Sequence, residues 1–314
     1  MTNLNKSLAF VFPGQGSQWV GMLKEMAEKT PLIQATFEEA SVALGMDLWA
    51  LTQQGPENLL NQTENTQPAL LTASVALWRL WGERQGSQPR LLAGHSLGEY
   101  TALVCSKAIA FDDAVKLVRE RGRLMQAAVA ADEGAMAAIL GLDDALLEAV
   151  CLEAAMGEVV SPANFNSIGQ TVIAGNKTAV MRAIALAKTK GAKRALLLPV
   201  SVPSHCALMK PAAIALGEYL TKIRISAPLI PLLHNVDADF CSHPDDIRER
   251  LVLQLYRPVH WVKTIQRFAE ENIQSVIECG PGKVLTGLIK RIDTAIKPLN
   301  IDTPIELETV LNAI

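Results

Sequence analysis

Along most of the chain, short apolar runs alternate with amphipathic stretches. Leu8–Phe12 is a five-residue apolar run closed by Pro13-Gly14, which has the length and the punctuation of a strand. Residues 70–81 pattern as a helix, and Leu91–Ala93 as a short strand just before Gly94. Helical patterning returns over 96–107 and 112–130. Strands alternating with helices predict an α/β fold with a mainly parallel sheet.

The rhythm changes from about Met136 to Val200. Here the pattern predicts strands at 135–140, 159–164, 171–174 and 194–200, with helices over 143–155 and 178–190. The order βαββαβ is that of a ferredoxin-like split βαβ unit. Afterwards α/β alternation resumes: an apolar run at 229–236, a helix after Pro244, a strand at 275–278 and a helix over 283–291. The economical reading is a large α/β domain with a hydrolase-like core over 1–131 and 201–314, interrupted by a small ferredoxin-like domain over 132–200.

Composition narrows the function classes. The chain has 314 residues, 49% hydrophobic and 19% charged, enough to bury a large core. A formal net charge of -3 argues against a nucleic-acid binder, which normally presents a basic face. Five cysteines at wide spacing with no C-x-x-C pair suggest free thiols and a cytoplasmic setting. The five histidines form no H-x-x-x-H or H-E-x-x-H pattern, so no metal site is expected. Leu8–Phe12 is too short for a signal-peptide core, and no apolar run approaches membrane length, so neither a targeting segment nor a membrane partner is expected.

The clearest chemistry lies at Gly94-His95-Ser96-Leu97-Gly98, which fits G-x-S-x-G between a predicted strand and helix. A sharp turn there exposes the serine oxygen, and glycines two before and two after relieve crowding. The helix start behind it offers free N–H groups to a developing oxyanion. The same pattern also suits a serine helix cap after a glycine turn. A serine nucleophile needs a base. His95 is beside it on the turn, where adjacent side chains diverge. His234 falls in an apparently buried strand, His243 in a polar loop and His260 in Arg-Pro-Val-His-Trp. His205 follows the 194–200 strand, where strand-end loops collect catalytic groups. The residues alone do not single it out, and they identify no third triad carboxylate.

Arg121 stands out by helical geometry. On the 112–130 helix, Ala114, Leu117, Val118, Leu124, Met125 and Ala128 fall within about 60° of it, while Arg119 and Arg123 fall on the opposite side. A guanidinium on an apolar face needs an anionic partner. That partner is either a structural Asp or Glu, or a substrate carboxylate held by a bidentate clamp.

Two glycine-rich stretches fail as nucleotide sites. Gly14-Gln15-Gly16-Ser17-Gln18-Trp19 has Trp at the third glycine of G-x-G-x-x-G. Gly280-Pro281-Gly282-Lys283-Val284 lacks the P-loop hydroxyl and its first glycine, where Ile277 stands. Gln15, after a strand end, offers an amide donor to an oxyanion.

Taken in order along the chain, these stretches resemble the malonyl-CoA:acyl-carrier-protein transacylases, relatives of the acyltransferase domains of polyketide synthases. The matching stretches are Phe12-Pro13-Gly14-Gln15-Gly16-Ser17-Gln18, Asn61-Gln62-Thr63, Gln67-Pro68-Ala69-Leu70, and Gly94 through Tyr100. They continue with Arg121-Gly122, Met125-Gln126, Asn164-Phe165-Asn166-Ser167, Val202-Pro203-Ser204-His205, Asn235-Val236-Asp237-Ala238, Gln254 before Pro258-Val259, and Glu278-Cys279-Gly280-Pro281-Gly282.

The resemblance implies that Ser96 accepts the acyl group, that His205 is its base and that Arg121 binds the malonyl carboxylate. It implies an oxyanion hole from Gln15 and the Leu97 N–H, and a main-chain carbonyl at Gln254 orienting the histidine in place of a carboxylate. Asn166 and Gln67 match motif positions near the site. The implied substrates are malonyl-CoA and phosphopantetheinylated acyl carrier protein, with no bound cofactor, and the site is expected in the cleft between the domains. One departure is Ile168, where the family usually has Pro, in an expected turn of the small domain. A serine esterase or thioesterase shares the elbow but leaves Arg121 unexplained. A non-catalytic carrier-binding module has no need of Ser96, His205 and Arg121 together. Lys188, Lys190, Lys193, Arg194, Lys283, Lys290 and Arg291 are the candidates for receiving an acidic carrier protein.

Overall fold

In the computed structural model of the chain, which describes residues 3–130, 132–200 and 202–314, two sheets organise the molecule. Among the described residues nine strands run in chain order: β1 (Leu4–Phe12), β2 (Gln88–Gly94), β3 (Gly134–Leu140), β4 (Val160–Ser167), β5 (Gln170–Asn176), β6 (Arg194–Leu197), β7 (Leu232–Leu233), β8 (Ser275–Glu278) and β9 (Lys297–Asn300). The first sheet has the order β7-β2-β1-β8-β9, and all its pairings are parallel. The second has the order β4-β5-β3-β6 and is antiparallel. The α/β expectation with a mainly parallel sheet is met.

The continuous apolar run of β1 follows from its position at the middle of the parallel sheet, buried on both faces. Leu8, Phe10 and Phe12 enter one core, and Ala9 and Val11 the core on the opposite face. Trp78 and Trp81 pack edge-on against Phe10, with ring centroids 5.2 and 5.3 Å away. Both come from the helix Thr63–Glu83, which starts seven residues earlier than its pattern predicts. Its first two turns bury Thr63, Asn65, Thr66 and Gln67, so polarity hides them from a hydrophobic reading.

The antiparallel sheet packs the helices Asp144–Ala155 and Lys177–Thr189 on one face, around Ala137, Ile139, Ile173 and Ala183. Alternate residues Met136, Val172 and Ala174 point to the other face and pack with Ala163 and Cys206. Met136 and Val172 on that face line a cavity shared with residues that follow β1 and β2. Ile168 occupies the two-residue turn between β4 and β5, two-thirds exposed.

Several expected bounds are corrected. The strand expected over 194–200 ends at Leu197, because Pro199 has no N–H to continue the ladder. The run 229–236 yields two strand residues, Leu232–Leu233, since Pro231 precedes them and a turn begins at His234. The helix expected from Ser96 begins at Gly98, because Ser96 is left-handed at φ 51°. The Arg121 helix runs Phe111–Ala127. Edge strand β9 contains Pro298 and carried no apolar run to announce it. Among the described residues, no helix is long and apolar enough to cross a membrane.

Candidate active site

The elbow is built where β1 and β2 end side by side, Phe12 opposite Gly94. Ser96 sits at the tip in the left-handed region, which costs a non-glycine residue about 1–2 kcal/mol. Surrounding contacts hold it there. The Ser96 N–H donates to Asn235 Oδ1 at 2.7 Å, and Asn235 Nδ2 donates to the Gly94 carbonyl at 2.6 Å, so one amide staples both sides of the turn. A Cβ on Gly94 would overlap the Gly98 carbonyl, and one on Gly98 would overlap the Phe12 carbonyl oxygen. Both glycines are therefore demanded by close approach of backbone to backbone.

His205, 2% exposed, faces the serine from a loop after β6. Ser96 Oγ and His205 Nε2 are 2.8 Å apart. On the other side of the ring, Nδ1 lies 2.7 Å from the Gln254 carbonyl oxygen. A carbonyl only accepts, so Nδ1 carries the proton and Nε2 is left bare to accept from the serine hydroxyl. Burial, reinforced by the charge of Arg121, pulls the imidazole from 6.5 down to about 3. The neutral ring is thus held ready to receive a proton.

Arg121 is 1% exposed and has no carboxylate for a partner among the described residues. Its Nη1 donates to Gln67 Oε1 at 2.9 Å, and its Nη2 to Gln254 Oε1 at 3.0 Å and Ser96 Oγ at 3.2 Å. Nε finds no partner among the described residues. The guanidinium stands 5.1 Å from the Tyr100 ring centroid. Of the two partners expected for this buried cation, the structural Asp or Glu is absent among the described residues.

The remaining sequence candidates assemble around this centre. Gln15, Ser96, Leu97, Arg121 and His205 all line one cavity of about 300 Å³. The backbone N–H groups of Gln15 and Leu97 take no hydrogen-bond partner among the described residues. The Gln15 side-chain amide reaches Thr63 Oγ1 at 3.4 Å. Asn166 lies one step from the serine, its Oδ1 2.8 Å from His95 Nε2. Burial lowers the His95 pKa, and the Asn166 contact opposes that. Gln67 Nε2 is 3.6 Å from Met125 Sδ. The cavity walls come from both sheets: Met136 and Val172 from the antiparallel one, and Val284 and Leu288 from the helix Val284–Ile292 after β8.

Three residues at the centre went unassigned by sequence reasoning: Glu99, His234 and Asn235. Glu99 is 1% exposed. Its Oε1 accepts from His234 Nδ1 at 2.7 Å, and its Oε2 from the Asn235 N–H at 3.0 Å and Gln254 Nε2 at 2.7 Å. The one available signal was a polar His-Asn pair closing an apolar run, at the end of a parallel strand where such sheets place their sites. Among the basic candidates for a docking face, Lys283 pairs with Glu306 and Lys190 with Glu153, which leaves Lys188, Lys193, Arg194, Lys290 and Arg291 outside the ion pairs of the described residues.

A family model described as acyl transferase domain matches residues 9–300. The malonyl CoA-acyl carrier protein transacylase of Salmonella typhimurium is 58% identical over 303 residues, covering 96% of this chain and 98% of the relative. The crystal structure of an acyl carrier protein S-malonyltransferase from Vibrio cholerae superposes with a TM-score of 0.95 at 55% identity, covering 97% of this chain and 99% of that one. A malonyl-transacylase solved in complex with its type II PKS acyl-carrier protein matches with a TM-score of 0.97 at 52% identity, over 98% of this chain and 100% of that one. The resemblance carried by the motifs is thus met across nearly the whole length, and the chain belongs to the acyl transferase domain family.

Proposed function

We propose that this protein moves the malonyl group of malonyl-CoA to the phosphopantetheine thiol of acyl carrier protein, through a malonyl ester on Ser96. The observation that carries the choice of acyl group is Arg121: a buried guanidinium, without a carboxylate partner among the described residues, 3.2 Å from the serine oxygen. A substrate with a free carboxylate supplies the missing anion. The names of the relatives, all malonyl transferases, support the same substrates.

In this reading Ser96 Oγ attacks the thioester carbon while its proton passes to His205 Nε2. The tetrahedral oxyanion rests on the backbone N–H groups of Gln15 and Leu97, the latter at the start of the helix Gly98–Cys105. The Ser96 N–H is already committed to Asn235, so it is not the donor. Collapse breaks the carbon–sulfur bond, and the departing CoA sulfur takes the proton from His205. The malonyl ester stays with its carboxylate on Arg121, which Gln67 and the Gln254 side chain hold from behind. The carrier's thiol then gives its proton to His205 and attacks the ester, releasing the Ser96 oxygen, which recovers that proton. The kinetics are ping-pong. The Gln254 carbonyl serves where a triad carboxylate would, and Asn166 steadies His95 behind the elbow. No cofactor is needed for these steps.

The architecture is read in the same way. The order β6-β3-β5-β4 with two helices on one face suits a ferredoxin-like unit over 132–200, and the parallel sheet with its elbow suits a hydrolase-like core over 1–131 and 201–314. The cleft between the two is the substrate site. A cytoplasmic location fits five free cysteines and a soluble carrier-protein partner.

Intact-protein mass spectrometry after brief incubation with a panel of acyl-CoAs tests the proposal. A gain of one malonyl group is expected, removed by holo-acyl carrier protein. Equal loading by acetyl-CoA and butyryl-CoA would overturn the malonyl assignment.

A further inference from the structure

The carboxylate of Glu99 hydrogen-bonds to none of Ser96, His205 and Arg121, yet it binds a residue that touches all three. Gln254 closes the helix Pro244–Gln254 and is fully buried. Its carbonyl holds His205 Nδ1, its side-chain Oε1 accepts from Arg121 Nη2, and its Nε2 donates to the Ser96 carbonyl at 3.0 Å and to Glu99 Oε2 at 2.7 Å. An amide has two faces of similar shape and opposite hydrogen-bonding sense. Arg121 only donates, so the site works only with Oε1 turned toward it. Rotated by half a turn, the amide would set Nε2 against Nη2, donor against donor, in a buried place where neither finds water.

The acceptors on the far side fix the orientation. Nε2 has three of them, Glu99 Oε2 at 2.7 Å, the Ser96 carbonyl at 3.0 Å and Asn235 Oδ1 at 3.5 Å, and Glu99 is both the shortest and the charged one. The same Oε2 also accepts the backbone N–H of Asn235, whose side chain staples the elbow. Glu99 sits in the first turn of the helix that follows the elbow, so its position is set by the backbone that presents Ser96.

We propose that Glu99 is a positioning residue for carboxylate recognition: by accepting from Gln254 Nε2 and the Asn235 N–H it fixes the Gln254 amide, and through it the Arg121 guanidinium, against the elbow. This rests on the reading that Ser96 carries the acyl group and Arg121 its carboxylate. His234 completes the account. Its Nδ1 donates to Glu99 Oε1, and its Nε2 has no partner among the described residues. If Glu99 becomes Gln, the new amide places its oxygen toward Gln254 and its NH2 toward His234. The ring accepts by moving its proton to Nε2. The strongest acceptor for Gln254 Nε2 survives that substitution and is lost in Glu99→Ala, which leaves the Ser96 carbonyl and the longer Asn235 contact.

The experiment measures kcat/KM for malonyl-CoA and acetyl-CoA in the acyl-loading step, with folding monitored by circular dichroism and thermal melting. Glu99→Ala is expected to lower the malonyl-to-acetyl ratio at least tenfold, and Glu99→Gln to recover most of it. In an Arg121→Ala background, Glu99→Ala should lower the ratio no further. Should Glu99→Ala not fold, Glu99→Asp replaces it, since the shorter side chain withdraws its oxygens from Gln254, and the same fall in ratio is expected. A folded Glu99→Ala or Glu99→Asp variant that loses both activities equally, with the ratio unchanged, would overturn the proposal and leave Glu99 a stabilising residue. The underlying reading is judged separately, by whether the wild-type enzyme loads malonyl on Ser96 and prefers malonyl at all.

Discussion

The guanidinium of Arg121 lies 3.2 Å from the hydroxyl oxygen of Ser96, with both side chains in one cavity and, among the described residues, no carboxylate in direct contact with the cation. Most buried arginines are held by an Asp or Glu. Here the available places are taken by the amides of Gln67 and Gln254, which orient the cation without neutralising it. The charge is thus left for something that arrives with the acyl group.

Arg121→Ala should therefore cut malonyl loading by about 3 kcal/mol, roughly a hundredfold, while acetyl loading falls far less or rises. Single-turnover kinetics with the two thioesters measure this. An equal loss for both would make Arg121 structural.

Ser96→Ala should abolish the acyl-enzyme, with kcat reduced by about three orders of magnitude or more. Binding of malonyl-CoA should persist, because the Arg121 clamp remains. Radioactive malonyl-CoA gives a direct readout, and labelling of the alanine variant at the wild-type rate would remove Ser96 from the mechanism.

As the proposed base, His205 should set the acid side of the pH profile. Burial lowers its folded pKa from 6.5 to about 3. A lowered histidine pKa means that the folded state favours the neutral ring. Its contribution to stability is full above about 6.5 and is lost as pH falls toward about 3. The loading rate should follow the folded value: kcat/KM for malonyl-CoA should hold its plateau below pH 6.5. Stopped-flow loading across pH 4–8 checks this, and an inflection near 6.5 would mean an imidazole in contact with bulk water. Arg121→Ala should move the acid limb upward, since the guanidinium is the second contributor to the shift.

The family resemblance implies an acidic carrier protein, and this chain carries a net charge of -3. Lys290 and Arg291 lie in the last turn of the helix whose Val284 and Leu288 line the cavity, and Lys193 shares a separate surface pocket with Arg291. The double variant Lys290→Glu/Arg291→Glu should raise KM for the carrier protein about tenfold, with a weaker salt dependence of transfer. Transfer that ignores both salt and these charges would place docking elsewhere.

Ile168 is the departure from the family pattern. It is the first of two turn residues, with Gly169 at φ 67° after it and no left-handed φ of its own, a place suited to proline at the first position. Ile168→Pro should stabilise the fold by about 0.5–1 kcal/mol through the unfolded chain and leave both half-reactions within about threefold. Thermal melting and the loading assay measure the two effects.

The linear sequence by itself determined the α/β class, the elbow with Ser96, and the apolar-face position of Arg121. Each of these depends on neighbours within a turn or two: strand-length apolar runs, glycines at a sharp turn, and helical periodicity. His205, Gln15, Leu97, Gln254, Asn166 and Gln67 became legible through the ordered set of family motifs, because their partners are distant in sequence. Only the tertiary structure decided what holds them. It brought the Gln254 carbonyl to His205, left Arg121 without a carboxylate partner among the described residues, and revealed Glu99, His234 and Asn235 as the polar cluster beneath the elbow. It also carried the helix Thr63–Glu83 back to Thr63 and cut the expected strand 229–236 to Leu232–Leu233. The physical reason is common to all of these. A buried polar group is stable only when its partner is in place, and which partner that is depends on how separate segments of the chain are packed together.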